Sequence, residues 1–330
     1  MKHRVESEDC SSVETTGFTE PLHAKKHLRC VSTEDCPILG AGRSATVYWL
    51  DPETVVKKYD ARVPLEMIRR EMELSGKAFA FGIPTPTPFE LVRADDSYGV
   101  VFEQIAPAVT VGSAITAHPE RFDELTGKFT ALLKQIHHTC VPEKDEFPSE
   151  KDHWLSWAEG MRPYYSEDET GLLLKMLQGI PERSTIVHCD FHENNVMVRG
   201  DELILIDMSD IGRGHPIFDL ASGAFRAHVS RIPGRQAHHG LPAEMMERFW
   251  DTVLRMYFET EDPEKIKKLQ DMCLAFGLVR SALFPMKHVQ IGEKLRQIHI
   301  DDARRNLFPR KEWALQQMES LNVVLPEVQA

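Results

Sequence analysis

A short segment combines residues that could serve phosphoryl transfer. From Val187 to Val198 the chain reads VHCDFHENNVMV, in which His188, Asp190 and Asn195 have the spacing HxDxxxxN. Asp207 lies in the alternating, strand-like run LILIDM that follows. Phosphoryl transfer needs one carboxylate near the attacking hydroxyl and oxygen ligands for Mg²⁺. Asp190 could supply the first, and Asn195 and Asp207 could supply the second.

The same segment offers ligands for a different metal. His188, Cys189, Asp190 and His192 include the soft donors that zinc binds, in sets of three or four. Adjacent residues of a strand or loop point apart, however, and the sequence has no CxxC pair. Each of these polar residues could also be structural. The residues upstream favour phosphoryl transfer.

The run LGAGRSATVY contains residue types that bind phosphate. Gly40 and Gly42 lie between strand-like runs, where backbone N–H groups can approach phosphate oxygens closely. Glycines at such positions also form plain hairpin turns, which is the alternative interpretation. A strand rather than a helix follows, and this excludes a dinucleotide-binding fingerprint.

The next run, VVKKYD, could place a lysine on the α- and β-phosphates of a nucleotide. Lys57 and Lys58 point to opposite faces of a strand, and periodicity alone does not decide which one faces inward. Such a lysine pairs with a glutamate of the following helix. Glu71 is the best partner there, with Glu66 and Glu73 as alternatives.

The elements that must position these residues fall into two parts. ILGAGRSATVYWL and DPETVVKKYD predict two strands, and a helix follows between Pro64 and Gly82. FELVRA and YGVVFEQI predict two more strands. From about Ala108 amphipathic helices dominate, with one strand at ELILIDM. The predicted helices lie in RFDELTGKFTALLKQIHHT, KDHWLSWAEGMRPYY, DETGLLLKMLQGI, AEMMERFWDTVLRMYFE, PEKIKKLQDMCLAFGLVRSALF and KEWALQQMESL.

Taken together, these segments resemble the kinases. LGAGRSATV is similar to the protein kinase loop GxGxxGxV, with Ala45 at the third glycine. HCDFHENN resembles the HGDLHPGN loop of the aminoglycoside phosphotransferase and choline kinase superfamily. LIDMSDIGRGHPIFDLAS is similar to the IDWEDAGxGDPxxDLA segment of that superfamily. Neither DFG nor APE occurs, which favours this superfamily over the protein kinases. The resemblance extends from about Leu39 to Ala221.

The chain departs from the family pattern beside the functional positions. Cys189 replaces Gly, Glu193 and Asn194 replace Pro-Gly, Met208 replaces Trp, and His215 replaces Asp. Because the functional positions themselves are kept, the resemblance implies that the chemistry is retained.

The resemblance implies an α+β, bilobal protein kinase-like fold. A small antiparallel-sheet N-lobe is expected over residues 35–106 and a larger, mostly helical C-lobe with the acceptor site over 107–330. Residues 1–34 would form a polar N-terminal extension.

The resemblance also implies roles for individual residues. Asp190 would be the catalytic carboxylate, Asn195 and Asp207 would hold Mg²⁺, and Asp219 would brace the catalytic loop, with His137 packed under it. The residues implied for ATP lie in the Gly-rich loop, the lysine strand, the following helix and the hinge: Gly40, Gly42, Arg43, Ser44, Ala45, Lys57, Glu71, Phe102, Glu103 and Ile105.

We therefore expect an ATP- and Mg²⁺-dependent small-molecule O-phosphotransferase. One alternative is a catalytically silent nucleotide-binding scaffold or regulator, which the intact set of Asp190, Asn195 and Asp207 disfavours. Another is a protein kinase, which the missing activation segment disfavours.

Composition limits the partners of the chain. A net charge of −12 over 330 residues argues against nucleic acid. It fits a cationic acceptor, met for example by Asp152, Glu159, Asp301 or Asp302, but also a surface charged only for solubility. No leader or membrane span is expected. Six cysteines are too sparse for a disulfide framework, which indicates a cytoplasmic protein.

Overall fold

The structure is a computed structural model that describes residues 28–142, 146–231, 240–288 and 291–325, without the side chains of 322–324. Most of the expected polar extension, residues 1–27, lies outside this description. The chain divides into two compact units, one ending at Ala106 and the other beginning at Pro107.

The first unit is a six-stranded sheet with one helix. Its strand order is β1-β5-β6-β4-β3-β2, and all neighbours are antiparallel except β1, which runs parallel to β5. The expected antiparallel sheet is therefore a mixed sheet, and β1 lies in the part of the sequence assigned to the extension. The elements are β1 (Cys30–Val31), β2 (Ile38–Ala41), β3 (Ala45–Trp49), β4 (Thr54–Tyr59), α1 (Leu65–Ala80), β5 (Pro88–Ala94) and β6 (Ser97–Glu103).

One strand prediction is wrong. The run ILGAGRSATVYWL forms a hairpin of β2 and β3 rather than a single strand, because the N–H of Gly42 donates to the carbonyl of Ala45 at 2.8 Å and closes a tight loop. The predicted helix is confirmed as α1. Pro64 caps its start, and Gly82, with φ +79°, follows its end.

The second unit is mostly helical, as expected. Its short strands form a three-stranded sheet in the order β10-β9-β7 and a pair of β8 with β11. The elements are β7 (Val109–Thr110), α2 (Val111–Ala117), α3 (Phe122–His138), α4 (Glu150–Gly160), α5 (Glu167–Gln178), β8 (Ile186–Val187), β9 (Val196–Arg199), β10 (Glu202–Leu205), β11 (Gly212–Arg213), α6 (Ile217–Ser230), α7 (Ala243–Phe258), α8 (Pro263–Lys287), α9 (Glu293–Asn306) and α10 (Lys311–Val324).

The six predicted helices of this unit are confirmed as α3, α4, α5, α7, α8 and α10. The sequence patterns did not indicate α2, which is only 7 residues long, α6, or α9, whose sequence EKLRQIHIDDARRN is strongly polar. Cys30 is disulfide-bonded, whereas Cys36, Cys140, Cys189 and Cys273 are free.

Helix α8 is the central helix of the second unit. Every residue from Ala275 to Leu283 is buried, as in a core helix that is covered on all sides. At Gly277 an added Cβ would lie 3.0 Å from the backbone nitrogen of Phe225 and 3.1 Å from the carbonyl oxygen of Ala221, so glycine allows α6 and α8 to approach closely. None of the helices within the described ranges is long and apolar enough to cross a membrane.

Candidate active site

Strand β4 separates its two lysines. Lys57 Nζ lies 2.5 Å from Oε1 of Glu71 on α1, and both side chains are largely buried. Lys58 points to the other face and pairs with Asp95 at 2.8 Å and with Asp96 at 3.0 Å. The geometry therefore selects Lys57 and Glu71 as the strand–helix pair.

The remaining glutamates of α1 lie elsewhere on the helix. Glu66 is exposed, and Glu73 pairs with Lys77 one turn along the same helix at 3.1 Å. Because Glu71 lies on the same buried face as Ile68 and Leu74, helical spacing directs its carboxylate toward the sheet.

The Gly-rich loop joins β2 to β3 at one edge of the sheet. Neither Gly40 nor Gly42 has a positive φ, and an added Cβ at Gly40 would meet no protein atom within 4 Å. The fold itself therefore does not require glycine at position 40. Arg43 and Ser44 are exposed at the loop tip, and the carbonyl of Ser44 accepts from the N–H of Asp60 at 2.8 Å.

The predicted hinge lies at the end of β6, beside the lysine strand. Phe102 is the ladder partner of Val55, and it packs on the same apolar cluster as Ala45. Glu103 is fixed by Thr87, whose carbonyl accepts from the Glu103 N–H at 2.9 Å. Ile105 follows two residues later and is half-buried. The first unit therefore brings Ala45, Lys57 and Phe102 together around adjacent strands.

In the second unit, a single buried carboxylate holds the loop after β8. Asp219, at the start of α6, accepts from the N–H of His188 at 2.8 Å and from that of Cys189 at 2.6 Å. His137 Nε2 lies 3.1 Å from the same carboxylate, and its Nδ1 lies 2.8 Å from the hydroxyl of Tyr257. The expectations that Asp219 braces the loop and that His137 packs beneath it are confirmed by these contacts.

Asp190 is surrounded by hydrogen-bond donors. Its Oδ1 accepts from Arg280 Nη2 at 2.6 Å, and its Oδ2 lies 3.5 Å from His192 Nε2 and 3.4 Å from the side-chain nitrogen of Asn195. Burial opposes ionisation, but His192, Arg280 and Lys287 hold the pKa of Asp190 well below its usual range. Its side chain is 33% exposed, so the carboxylate remains accessible.

Asn195 and Asp207 lie at facing ends of a strand pair. Asn195 precedes β9, Asp207 follows β10 closely, and the carbonyl of Asn195 accepts from the N–H of Ile206 at 2.9 Å. The Asn195 side-chain nitrogen donates to the carbonyl of Asp190 at 3.0 Å, so its amide oxygen is the atom that could face a cation. Asp207 is exposed and accepts from the hydroxyl of Ser209 at 3.1 Å.

These donors suit a hard cation rather than zinc. One amide oxygen and one carboxylate, completed by phosphate oxygens and water, match the ligands that Mg²⁺ takes. The soft donors point elsewhere: His188 Nε2 lies 3.2 Å from the carbonyl of Ile206, and burial raises the pKa of the Cys189 thiol well above its usual value. In the part of the chain that the structure describes, no cluster of three or more His, Cys, Asp and Glu could hold a metal.

Sequence reasoning missed two cations of α8 that lie at this site. Arg280 contacts Asp190, and Lys287 Nζ lies 2.7 Å from Oδ2 of Asp210. Burial lowers the pKa of Lys287, but Asp210 and Asp190 outweigh this effect and raise it. The available signal was an arginine inside the apolar run LAFGLVRSALF, because a cation is not buried without a partner.

A second buried ion pair accounts for one departure from the family pattern. Glu193, which is 1% exposed, pairs with Arg226 of α6, and Arg226 Nε donates to its Oε2 at 3.2 Å. The carbonyl of Glu193 also accepts from the N–H of Gly112 at 3.1 Å. Side-chain contacts thus fix the loop where the resembling sequences have Pro-Gly.

The two-unit fold and the loop after β8 are those of a kinase-like phosphotransferase. Residues 35–263, well over half of the chain, match the phosphotransferase enzyme family. The chain belongs to this family. No curated protein matches it in sequence.

Solved structures share the fold at low sequence identity. A choline/ethanolamine kinase family protein from Mesorhizobium loti is 13% identical with a TM-score of 0.56, over 86% of this chain and 92% of that chain. The complex of gentamicin with APH(2")-IIa is 14% identical with a TM-score of 0.56, over 84% and 93%. A thermostable aminoglycoside phosphotransferase APH(4)-Ia mutant, in a ternary complex with ADP and hygromycin B, is 13% identical with a TM-score of 0.55, over 89% and 95%.

Proposed function

We propose that the chain is an ATP- and Mg²⁺-dependent small-molecule O-phosphotransferase whose catalytic carboxylate is Asp190. The observation that carries the proposal is the loop after β8. There Asp190 is held at 2.6 Å by Arg280, and Asn195 and Asp207 follow at facing ends of β9 and β10. This arrangement offers a carboxylate for a hydroxyl and oxygen donors for a cation within one short part of the fold.

In the first unit, residues 35–106 would bind the nucleotide. Lys57, set by Glu71, would steady the α- and β-phosphates, with the loop of Gly40, Gly42, Arg43, Ser44 and Ala45 over them. The open space beside Gly40 supports a role in which its backbone faces a ligand rather than the protein. Helix α1 would then be the counterpart of the kinase helix that carries the paired glutamate.

The end of β6 would bind the adenine. Phe102 would line the base pocket, the carbonyl of Glu103 would accept from the adenine amino group, and the N–H of Ile105 would donate to the ring. Support comes from the position of Phe102 beside β4 and on the apolar cluster that also contacts Ala45.

In the second unit, residues 107–330 would bind the acceptor and carry out the transfer. Asn195 and Asp207 would hold Mg²⁺, which when bound neutralises charge on the phosphates. The acceptor oxygen bonds to the γ-phosphorus, and the bond from that phosphorus to ADP breaks. The hydroxyl proton passes to Oδ2 of Asp190, because Oδ1 accepts from Arg280 at 2.6 Å whereas the donors beside Oδ2, on Asn195 and His192, lie 3.4 Å and 3.5 Å away.

The acceptor is proposed only as a small molecule with a hydroxyl group. The acidic residues considered for a cationic acceptor include two with partners of their own: Glu159 pairs with Arg162, and Asp302 lies 3.2 Å from His228. Asp190 itself is matched by Arg280. Paired carboxylates give little support to a cationic acceptor such as an aminoglycoside.

The nucleotide assignment is tested by a thermal melt with and without Mg-ATP. At 100 times its dissociation constant, Mg-ATP should stabilise the folded chain by about 2.7 kcal/mol. Asp207→Asn should remove the dependence of binding on Mg²⁺, because the variant loses a charged ligand. A melting temperature that does not respond to Mg-ATP would contradict the proposal.

Turnover separates the enzyme from a nucleotide-binding scaffold. The wild-type chain should consume ATP with at least one member of a panel of hydroxylated amines, sugars and antibiotics. Absence of turnover with all of them, together with Mg-ATP binding that survives Asp190→Asn, would favour the scaffold.

A further inference from the structure

Helix α8 carries an arginine in its buried middle. Arg280 is 9% exposed, and its neighbours from Ala275 to Leu283 are all buried. A cation is stable in such surroundings only when it is paired. Both of its hydrogen bonds go to the loop after β8: Nη1 donates to the carbonyl of Cys189 at 2.7 Å, and Nη2 donates to Oδ1 of Asp190 at 2.6 Å.

The carbonyl that Arg280 binds belongs to a residue in a rare conformation. Cys189 has φ +64°, in the left-handed region that residues with a Cβ seldom adopt. On its other side, the N–H of Cys189 donates to Asp219 at 2.6 Å. Asp219 and Arg280 thus hold the two peptide groups that flank Cys189, and together they fix the direction in which the chain enters Asp190.

We propose that Arg280 is a positioning residue for phosphoryl transfer, which orients the Asp190 carboxylate toward the acceptor hydroxyl. This inference rests on the function proposed above. A guanidinium is planar, and its N–H groups form a rigid fork. By bonding a backbone carbonyl and a carboxylate at once, it sets the rotation of the carboxylate as well as its position. Oδ2 is then the oxygen that is presented to the acceptor.

Lys287, the second cation of α8, shows by contrast what the forked guanidinium of Arg280 contributes beyond its charge. Lys287 lies seven residues after Arg280, close to two helical turns further along the same face. Its Nζ lies 2.7 Å from a single carboxylate oxygen of Asp210. An ammonium acts as a point charge, whereas a guanidinium also fixes an angle. Arg280→Lys therefore separates the two properties, since it keeps the charge and removes the fork.

The chain offers a matched control in Arg226. This arginine pairs with the buried Glu193, three residues after Asp190 in the same loop. Arg226 holds the loop at Glu193 and not at the carboxylate that faces the acceptor. Its replacement removes a buried ion pair of the same kind without removing the fork at Asp190.

The test compares wild type, Arg280→Met, Arg280→Lys and Arg226→Met as full-length chains. Transfer is followed from γ-labelled Mg-ATP into a dilution series of a small-molecule metabolite extract. Arg280→Met should lower the maximal rate about 10²-fold, the usual cost of a misplaced catalytic group. The KM for Mg-ATP and the half-saturating extract dilution should stay near wild type.

The two remaining variants should differ from Arg280→Met in their maximal rates. Arg280→Lys should recover part of the maximal rate, because the charge returns without the fork. Arg226→Met should lower the melting temperature, yet keep a maximal rate close to wild type at temperatures where it is folded.

Two outcomes overturn the inference while leaving the proposed function intact. One is a maximal rate of both Arg280 variants equal to that of wild type. The other is a loss in Arg226→Met as large as that in Arg280→Met, which would make the role purely structural. A wild-type chain that transfers no phosphate would instead contradict the proposed function, and the inference with it.

Discussion

Each of the two units contains an ion pair of which one member is proposed to contact substrate, and in the two pairs the charge of the more exposed member is opposite. In the first unit the cation is the more exposed member, with Lys57 at 18% and Glu71 at 7%. In the second unit the carboxylate is more exposed: the Asp190 side chain is 33% exposed and the Arg280 side chain 10%. In each pair the exposed member is the one proposed to contact substrate, and the buried member is the one that holds it.

This difference follows from the charge of what each pair would meet. A phosphate needs a cation, and an ammonium on a flexible stem can follow it. A hydroxyl needs a carboxylate in one fixed orientation, and a rigid guanidinium supplies that support. The comparison predicts that removing an exposed member costs more activity than removing a buried one.

Within the first unit, the largest effect is expected at Lys57. Lys57→Met should lower turnover by about 10²–10³-fold, because a positioned cation on the transferring phosphates is lost. Lys58→Met is the control, since Lys58 pairs with Asp95 and Asp96 on the opposite face of β4. Steady-state kinetics should show near wild-type turnover for the Lys58 variant. Equal losses in the two variants would contradict the assignment of Lys57.

A smaller effect is expected at the buried partner. Glu71→Gln should lower turnover roughly 10-fold, the size expected when an orienting partner is removed. Glu73→Gln is the control, because Glu73 pairs with Lys77 on the solvent side of α1. A loss of turnover in Glu71→Gln that matches or exceeds the loss in Lys57→Met would contradict the expectation that the exposed member of the pair matters more.

The smallest effect at neutral pH is expected from a substitution of His215, a buried side chain that is not one member of a proposed substrate-binding ion pair. Its Nδ1 accepts from the N–H of Ile217 at 3.1 Å, and its Nε2 has no hydrogen-bond partner among the described residues. Burial, Arg183 and His137 lower the pKa of His215 to about 3. Below pH about 6.5 the unfolded chain therefore binds a proton at this histidine that the folded chain does not bind. The free energy of unfolding decreases as the pH is lowered.

His215→Asn should remove this dependence, because an asparagine can accept the same hydrogen bond and does not titrate. Between pH 8 and pH 5 wild type should lose about 2 kcal/mol more than the variant, because the loss approaches 1.36 kcal/mol per pH unit below the pKa of the unfolded chain. Denaturant unfolding at pH 8 and pH 5 measures the difference. If the free energy of unfolding of the two proteins falls equally between pH 8 and pH 5, His215 is not the cause of the loss of stability at low pH.

The parts of the fold and site that could be predicted are those encoded in local spacing. Apolar residues at helical intervals predicted α1, and Glu71 was the preferred helix partner for the strand lysine; it lies 14 residues from Lys57 and pairs with it. The strand count treated ILGAGRSATVYWL as one strand, although Gly40 and Gly42 had left a hairpin turn open. A backbone hydrogen bond within the Gly-rich loop divides the run into β2 and β3.

Long-range partners were outside the reach of the sequence. Arg280 lies 90 residues from Asp190, and Arg226 lies 33 residues from Glu193. Burial within an apolar helix indicates that Arg280 must have a partner, but only the packing of α8 determines which one. The sequence already disfavoured the zinc alternative, but the directions of His188 and Cys189 depend on contacts with Asp219 and Ile206 that only the fold provides.

The most direct test of the central claim is a transfer assay on Asp190. Wild type and Asp190→Asn are incubated with γ-labelled Mg-ATP and a small-molecule metabolite extract, and Mg-ATP binding is measured in parallel by calorimetry. Wild type should form a labelled phosphate ester, and the variant should bind Mg-ATP nearly as wild type while its transfer falls by about 10²–10⁴-fold. Equal labelling by the two proteins, or none by wild type, would contradict the account.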